Sequence, residues 1–181
     1  MKKNRLPVYL FLFFIAVIAF SMYGRSEIKN FPEGKVTSYQ HSMKASMMDI
    51  LNYIPIEQIE KEKVMSKDQS VIFLKKTDRI LSSYTELREI SSIYMNPDES
   101  ILNTQSILEI LYVSFSQLEE DKTNTIKLTD GQAGYISDVY RFFSDVHHID
   151  ILNLELDESL EEMEKVAEKY PNLSRRIEGL K

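Results

Sequence analysis

Two adjacent histidines, His147 and His148, are the residues of this chain best suited to chemistry. Asp145 and Asp150 flank them, and imidazole and carboxylate groups are common metal ligands. Adjacent residues of a helix point about 100° apart, however, and zinc-helix spacings such as His-Glu-x-x-His are absent. His147 continues an apolar stripe, so we interpret it as a partly buried, hydrogen-bonded histidine. The alternatives are a metal-dependent hydrolase that uses either histidine, and a pH-sensing imidazole.

Carboxylates are the second group of candidates. Asp130, Asp138 and Asp145 fall on one predicted helix, and the run 119–121 (Glu-Glu-Asp) closes another. Two carboxylates act as acid and base only where a cleft separates their pKa values, and no pattern here indicates such a cleft. Solvated helix faces and helix ends are the simpler interpretation.

Recognisable catalytic motifs are absent from the sequence. It contains no cysteine, which excludes a thiol nucleophile, and it contains no Gly-x-Ser-x-Gly elbow, phosphate loop, dinucleotide fingerprint or calcium loop. We therefore assign no catalytic, cofactor-binding or metal-binding residue, and we expect neither a cofactor nor an enzymatic activity.

Methionines and acidic residues suggest binding surfaces instead. Met43, Met47 and Met48 could line an adaptable groove, although a spacing of four is also that of a core face, which we favour. An acidic surface on the last helix could bind a basic partner or divalent cations, or could simply keep the helix soluble, which is the simpler interpretation. This acidic surface consists of Glu155, Asp157, Glu158, Glu161, Glu162, Glu164 and Glu168.

Helices must position all of these residues, because five Gly and five Pro leave little room for a turn-rich β fold. Capping boxes, in which side chains bond to the free amides of a first turn, mark three helix starts. They are Ser66 with Gln69, Asn96 with Glu99, and Thr129 with Gln132. Each box precedes an apolar stripe at helical spacing.

The stripes predict the extents of the helices. We expect helices from Ser66 to about Met95, from Pro97 to about Glu120, from Asp130 to about His148, and from about Leu156 to Pro171. A further helix from about Thr37 should be interrupted at Pro55, with a short continuation from Ile56 to Met65. A polar residue, Thr104, interrupts the apolar seam of the second of these helices.

The N-terminal segment differs from the rest of the chain. Residues 6–24 carry no charge, and Lys2, Lys3 and Arg5 precede them, as in a signal anchor whose N-terminus stays in the cytoplasm. The alternatives are a signal peptide cleaved before Met22 and a buried helix. The absence of cysteine excludes a lipoprotein anchor.

The predicted fold class is all-α: an N-terminal transmembrane helix followed by an extracytoplasmic antiparallel bundle of four to five helices. The segments are a cytoplasmic N-terminus at 1–5, a transmembrane signal anchor at 6–24, a tether at 25–36, the bundle at 37–171 and a tail at 172–181.

Charge limits the choice of partners. After position 25 the chain has 18 basic and 28 acidic residues, a net charge of −10, which argues against nucleic acid and anionic lipid headgroups as ligands. We expect a single-pass membrane protein that binds a protein partner in the cell envelope, as a structural, assembly or regulatory factor. The alternative is a sensor-like module that binds a small ligand or metal and works with a separate transducer.

Overall fold

The computed structural model describes residues 33–94, 103–119 and 124–174. Six helices and two short strands follow one another in this part of the chain. They are α1 (33–53), α2 (Ile56–Glu62), β1 (Val64–Ser66), α3 (Lys67–Tyr94), α4 (Asn103–Glu119), β2 (Thr125–Lys127), α5 (Asp130–His148) and α6 (Leu156–Ala167). The chain divides into two compact units, Met1–Thr37 and Ser38–Lys181. The second unit is a helical bundle, as predicted.

Antiparallel pairing of neighbouring helices is visible in their polar contacts. Ser42 on α1 accepts a hydrogen bond from Arg79 Nε on α3 at 3.0 Å, and Tyr39 donates to Glu86 at 3.1 Å. Lower numbers on α1 thus meet higher numbers on α3. Within the second unit, α1 and α3 therefore run in opposite directions, as in an antiparallel bundle.

The pair α3 and α4 is joined through stacked aromatic rings. The rings of Phe73 and Phe115 lie 4.4 Å apart and are inclined by 8°, and both side chains are fully buried. Aromatic pairs of this kind add about 0.5–1.5 kcal/mol to the free energy gained by burial. At the other end of the same pair, Arg88 donates a hydrogen bond to Gln105.

A small antiparallel ribbon departs from the all-α expectation. Met65 on β1 pairs with Ile126 on β2, and both side chains are buried. Two further backbone bonds extend the pairing, from Leu128 N to Lys63 O at 2.8 Å and from Lys67 N to Asn124 O at 3.1 Å. The predicted helical continuation from Ile56 to Met65 is therefore wrong beyond Glu62, because this segment gains partners from a distant part of the chain.

The capping boxes at Ser66 and Thr129 are confirmed. Gln69 N donates to Ser66 Oγ at 3.2 Å and Ser66 N donates to Gln69 at 2.8 Å. Thr129 makes the equivalent reciprocal pair with Gln132, so that α5 spans the predicted residues. The box at Asn96 lies outside the described residues.

The N-terminal predictions concern residues that the structure mostly does not describe. The anchor at 6–24 lies outside the described residues, and residues 33–36, expected to belong to the tether, are already helical. Across residues 33–94, 103–119 and 124–174, none of the helices combines the length and the apolar character that crossing a bilayer requires.

Candidate functional site

Helix α6 and the turn after it are joined by polar side chains to α1, α3, α4 and α5, the other long helices of the described residues. Each bond uses a different residue of this segment. They are Gln40 to Ser159 (3.4 Å), Ser91 to Asp157 (2.9 Å), Thr104 to Glu164 (2.9 Å) and Tyr170 to Asp145 (2.9 Å). Helix α6 and the turn after it therefore connect α1, α3, α4 and α5 to one another.

Glu164 is the central residue of this inner face. The residue is 7% exposed, and its carboxylate accepts hydrogen bonds from the backbone amides of Asn103 at 3.0 Å and Thr104 at 3.1 Å. First-turn amides lack acceptors within their own helix, and negative charge is favourable at that end. Glu164 therefore caps α4 from another helix, and its assignment to the solvated acidic surface was wrong.

A buried tyrosine lies beside this cap. Tyr84 on α3 is fully buried, and its hydroxyl makes no hydrogen bond of normal geometry to any described residue. Burial raises the pKa of Tyr84 because the phenolate would lose its hydration, and the nearby Thr104 hydroxyl only partly opposes this effect. The region around Glu164 is thus a buried polar cluster inside the bundle.

The outer face of α6 forms one side of an open groove of about 810 Å³, whose other side is the C-terminal end of α5 and the α5–α6 connection. We call it the α5–α6 groove. Apolar side chains form part of its lining, together with five carboxylates and three basic side chains. The lining consists of Ile149, Leu154 and Val166, of Asp145, Asp150, Glu158, Glu161 and Glu162, and of His148, Lys165 and Lys169.

The charges of the groove are only partly compensated. Lys165 Nζ lies 3.0 Å from Glu161 and 2.9 Å from Glu162, and the hydrogen bond to Glu162 raises the pKa of Lys165. Glu158 and Asp150 form no ion pair within the described part of the chain. The groove therefore presents an acidic, partly apolar surface to solvent.

The two histidines are not arranged as a metal pair. His147 is half-buried, with its Nδ1 buried and without a partner among the described residues, whereas His148 is exposed, with Nδ1 2.6 Å from Ser144 O. Their rings lie 6.3 Å apart. Burial, with a smaller contribution from Lys44, lowers the pKa of His147. The expected partial burial of His147 is confirmed, but the described residues offer its Nδ1 no hydrogen bond.

The aspartates of α5 do not converge on one site. Asp130 forms an ion pair with Lys63, Asp138 lies 3.7 Å from Arg141, and Asp145 accepts the hydroxyl of Tyr170. Each carboxylate therefore contacts a different partner. The acidic run 119–121 falls at the edge of the described residues, and its side chains are not described. Among the described residues, no three His, Asp or Glu side chains are grouped as a metal site would require.

The methionines divide between core and surface. Met43 and Met47 are 0% and 2% exposed and belong to the core, whereas Met48 is 53% exposed. Two further apolar side chains are exposed on α4, Tyr112 at 38% and Val113 at 39%. The sequence interpretation missed this surface because the apolar seam of α4 accounted for its other apolar residues.

Comparisons of the chain with protein-family models, with curated proteins and with solved structures gave no match. A functional interpretation therefore depends on the surfaces of the bundle itself.

Proposed function

We propose that this chain is a membrane-anchored helical bundle, displayed outside the cytoplasm, that binds a protein partner in the cell envelope. It acts as a structural, assembly or regulatory factor rather than as a catalyst. The uncharged run at 6–24, preceded by Lys2, Lys3 and Arg5, supports the location. That run lies outside the described residues, so the support for the location comes from the sequence.

The observation that carries the binding proposal is the α5–α6 groove. Its apolar side chains, including Leu154 and Val166, lie beside carboxylates such as Glu158 and Glu162, and protein interfaces likewise combine apolar contacts with a polar rim. The contacts of Glu164 hold the inner face of α6 against the start of α4. A partner would therefore meet a preformed surface, which lowers the entropic cost of association.

Photo-crosslinking in intact cells tests this proposal. A photoreactive amino acid replaces Glu158 or Glu162 in the full-length chain, and a matched control replaces Ser82, which is exposed on α3. We expect one discrete protein adduct from the groove positions and none from position 82. The double variant Glu158→Lys, Glu162→Lys should lose the adduct formed at another groove position, Leu154. Equal labelling from groove and control positions would contradict the proposal.

The location is tested separately. Alkaline phosphatase or a fluorescent protein fused after Lys181 reports the compartment of the C-terminus. We expect active phosphatase and no fluorescence, since the phosphatase folds only outside the cytoplasm. Fluorescence without phosphatase activity would contradict the proposed location outside the cytoplasm. The crosslinking test of the groove would still be interpretable.

A sensor-like module that binds a small ligand is the second candidate. The groove volume of about 810 Å³ lies within the range of small-molecule sites, which is roughly 300–1,000 Å³. Most such sites, however, have mainly apolar linings, whereas eight of the eleven side chains here are charged or basic. Thermal unfolding of the full-length chain with panels of metabolites and metals decides between the partner-binding factor and the ligand-binding module. A ligand at one hundred times its Kd adds about 2.7 kcal/mol to the free energy of unfolding, so a raised melting temperature would favour the ligand-binding module.

A further inference from the structure

One end of the α5–α6 groove is nearly neutral. Tyr170 donates a hydrogen bond to Asp145 at 2.9 Å, so these two residues mark where the segment after α6 meets α5. Lys169, which precedes Tyr170 in the chain, also lines the groove and has the opposite charge to Asp145. The formal charges at this end therefore cancel.

The opposite end of the groove, at the α5–α6 connection, is acidic. Asp150 and Glu158 line it, and within the described ranges neither has a cationic partner. Asp150 accepts a hydrogen bond from Asn153 Nδ2 at 2.8 Å, but this donor is neutral. Between the two ends, Lys165 contacts two carboxylates, so one negative charge is left over there. The negative charge of the groove therefore increases from the Tyr170 end toward the connection.

Apolar side chains lie along the same groove. Ile149 and Leu154 in the connection are half-buried, and Val166 on α6 is 7% exposed. The walls are two helices and their connection, so a partner binds here through side chains rather than as an added strand. A ligand thus meets apolar surface and uncompensated carboxylates together. This combination suits a cationic segment with an apolar side chain, whereas an acidic segment would be repelled.

We propose that the α5–α6 groove binds a basic segment of the partner protein. Lys or Arg side chains of that segment lie at the connection end, beside Asp150 and Glu158, and an apolar side chain covers Ile149, Leu154 and Val166. The inference rests on the proposed function and adds the chemistry of the partner. Complementary charge at one end of the groove also gives the bound segment a direction, because the Lys169 end offers a cation no such attraction.

Synthetic peptides provide the probe. A peptide of about twelve residues, with leucines at helical spacing and lysines between them, can follow the roughly 16 Å of helix from Glu158 to Lys169. Its twins replace every lysine by glutamine or glutamate, or every leucine by serine. Fluorescence anisotropy with the full-length chain in mild detergent measures the affinity. We expect the lysine–leucine peptide to bind at least about tenfold more tightly than each twin. Affinity that does not depend on the leucines, or equal competition by spermidine, would show a site for cations in general and would overturn the proposal.

Two pairs of substitutions show whether the peptide binds in the groove. Asp150→Asn with Glu158→Gln removes the two uncompensated charges and should weaken binding about three- to tenfold. Glu57→Gln with Glu89→Gln, at exposed positions on α2 and α3, removes the same charge elsewhere and should change the affinity by less than about twofold. Lys169→Glu should tighten binding, a gain that misfolding cannot produce. Equal effects of the two pairs, or weaker binding to the Lys169→Glu variant, would overturn the proposal.

Crosslinking in cells separates this inference from the proposed function. The photoreactive amino acid is placed at Leu154, and the pair Asp150→Asn, Glu158→Gln is added to the same chain. A basic partner segment should give a lower adduct yield with this pair and a higher yield with Lys169→Glu. An adduct whose yield is unchanged or higher with the pair would overturn the basic segment and leave the partner-binding function standing. No adduct from any groove position would contradict the proposed function, and this inference with it.

Discussion

Glu164 and Thr104, on two different helices, are joined by two hydrogen bonds. One carboxylate oxygen of Glu164 accepts the Thr104 hydroxyl at 2.9 Å and the Thr104 amide at 3.1 Å, while the other oxygen accepts the Asn103 amide at 3.0 Å. The contact places a charged group inside the bundle, where such a group is tolerated only if its hydrogen bonds are made.

Removing this carboxylate should destabilise the bundle. Glu164→Leu leaves the amides of Asn103 and Thr104 without their acceptor, and each unsatisfied buried group costs about 1–3 kcal/mol. We therefore expect a loss of about 2–5 kcal/mol in the free energy of unfolding, measured by urea denaturation. The matched control, Glu162→Leu on the outer face of the same helix, should change stability by less than about 1 kcal/mol. Equal effects from the two variants would contradict the capping role.

The hydroxyl contact can be separated from the amide contacts. Thr104→Val keeps the backbone bonds and removes only the side-chain donor, so we expect a cost of about 1 kcal/mol. In a double-mutant cycle with Glu164→Gln, the coupling energy between the two positions should be non-zero, because they touch. Strict additivity of the two effects would show that the hydroxyl bond contributes nothing.

His147 should make the stability of the bundle depend on pH. Burial lowers the pKa of His147 below its ordinary value of 6.5, so between these two pKa values the unfolded chain binds more protons than the folded one. Stability is then complete above about pH 6.5 and declines as the pH falls below it. His147→Gln should flatten this part of the stability curve, measured as Tm against pH. His148→Gln, at an exposed position, is the control: it removes only a minor cause of the lowered pKa of His147, so it should change the curve much less than His147→Gln.

Tyr170 and Tyr135 should titrate late in alkali. Burial, helped by the hydrogen bond to Asp145, raises the pKa of Tyr170 to about 12, and burial raises that of Tyr135 to about 12. Both groups keep their protons longer in the folded chain, so stability should fall as the pH rises from about 10 to about 12. Phenolate absorbance followed against pH measures this, and Tyr170→Phe should remove one late-titrating group. Complete ionisation of all tyrosines below pH 11 in the folded chain would contradict the prediction.

At position 63, a glycine variant should be more stable than an alanine variant. Its φ of 54° lies in the left-handed region, which costs a side-chain-bearing residue about 1–2 kcal/mol. Lys63→Ala and Lys63→Gly both lose the ion pair with Asp130. The difference between their free energies of unfolding therefore measures the cost of a side chain on this left-handed backbone. We expect the glycine variant to be the more stable by about 1 kcal/mol, measured by thermal unfolding. A more stable alanine variant would show that the backbone at this position is not strained.

Local signals in the sequence predicted a large part of the fold. The reciprocal pairs at Ser66 and Thr129 lie within four residues, and each was confirmed as a helix start. The stripe from Ile136 to Val146 correctly identified the buried side of α5, because helical periodicity depends only on neighbouring residues.

Features that depend on distant residues were missed. The β1–β2 ribbon joins Met65 to Ile126, and neither short strand has a strong pattern of its own. In the sequence, Glu164 is one of several acidic residues expected to be solvated. Its hydrogen-bond donors, the amides of Asn103 and Thr104, lie about 60 residues away on α4. The one sign of this contact was Thr104, a polar residue inside an apolar seam, whose partner no local pattern could identify.

The cap on α4 also has a consequence for biogenesis. Glu164 follows Thr104 by 60 residues, which at about 5–20 residues per second corresponds to roughly 3 to 12 s of ribosomal elongation. For that interval the newly made α4 has an incomplete first turn and an uncovered apolar flank. The nascent chain can therefore complete the cap on α4 only after α6 has been synthesised.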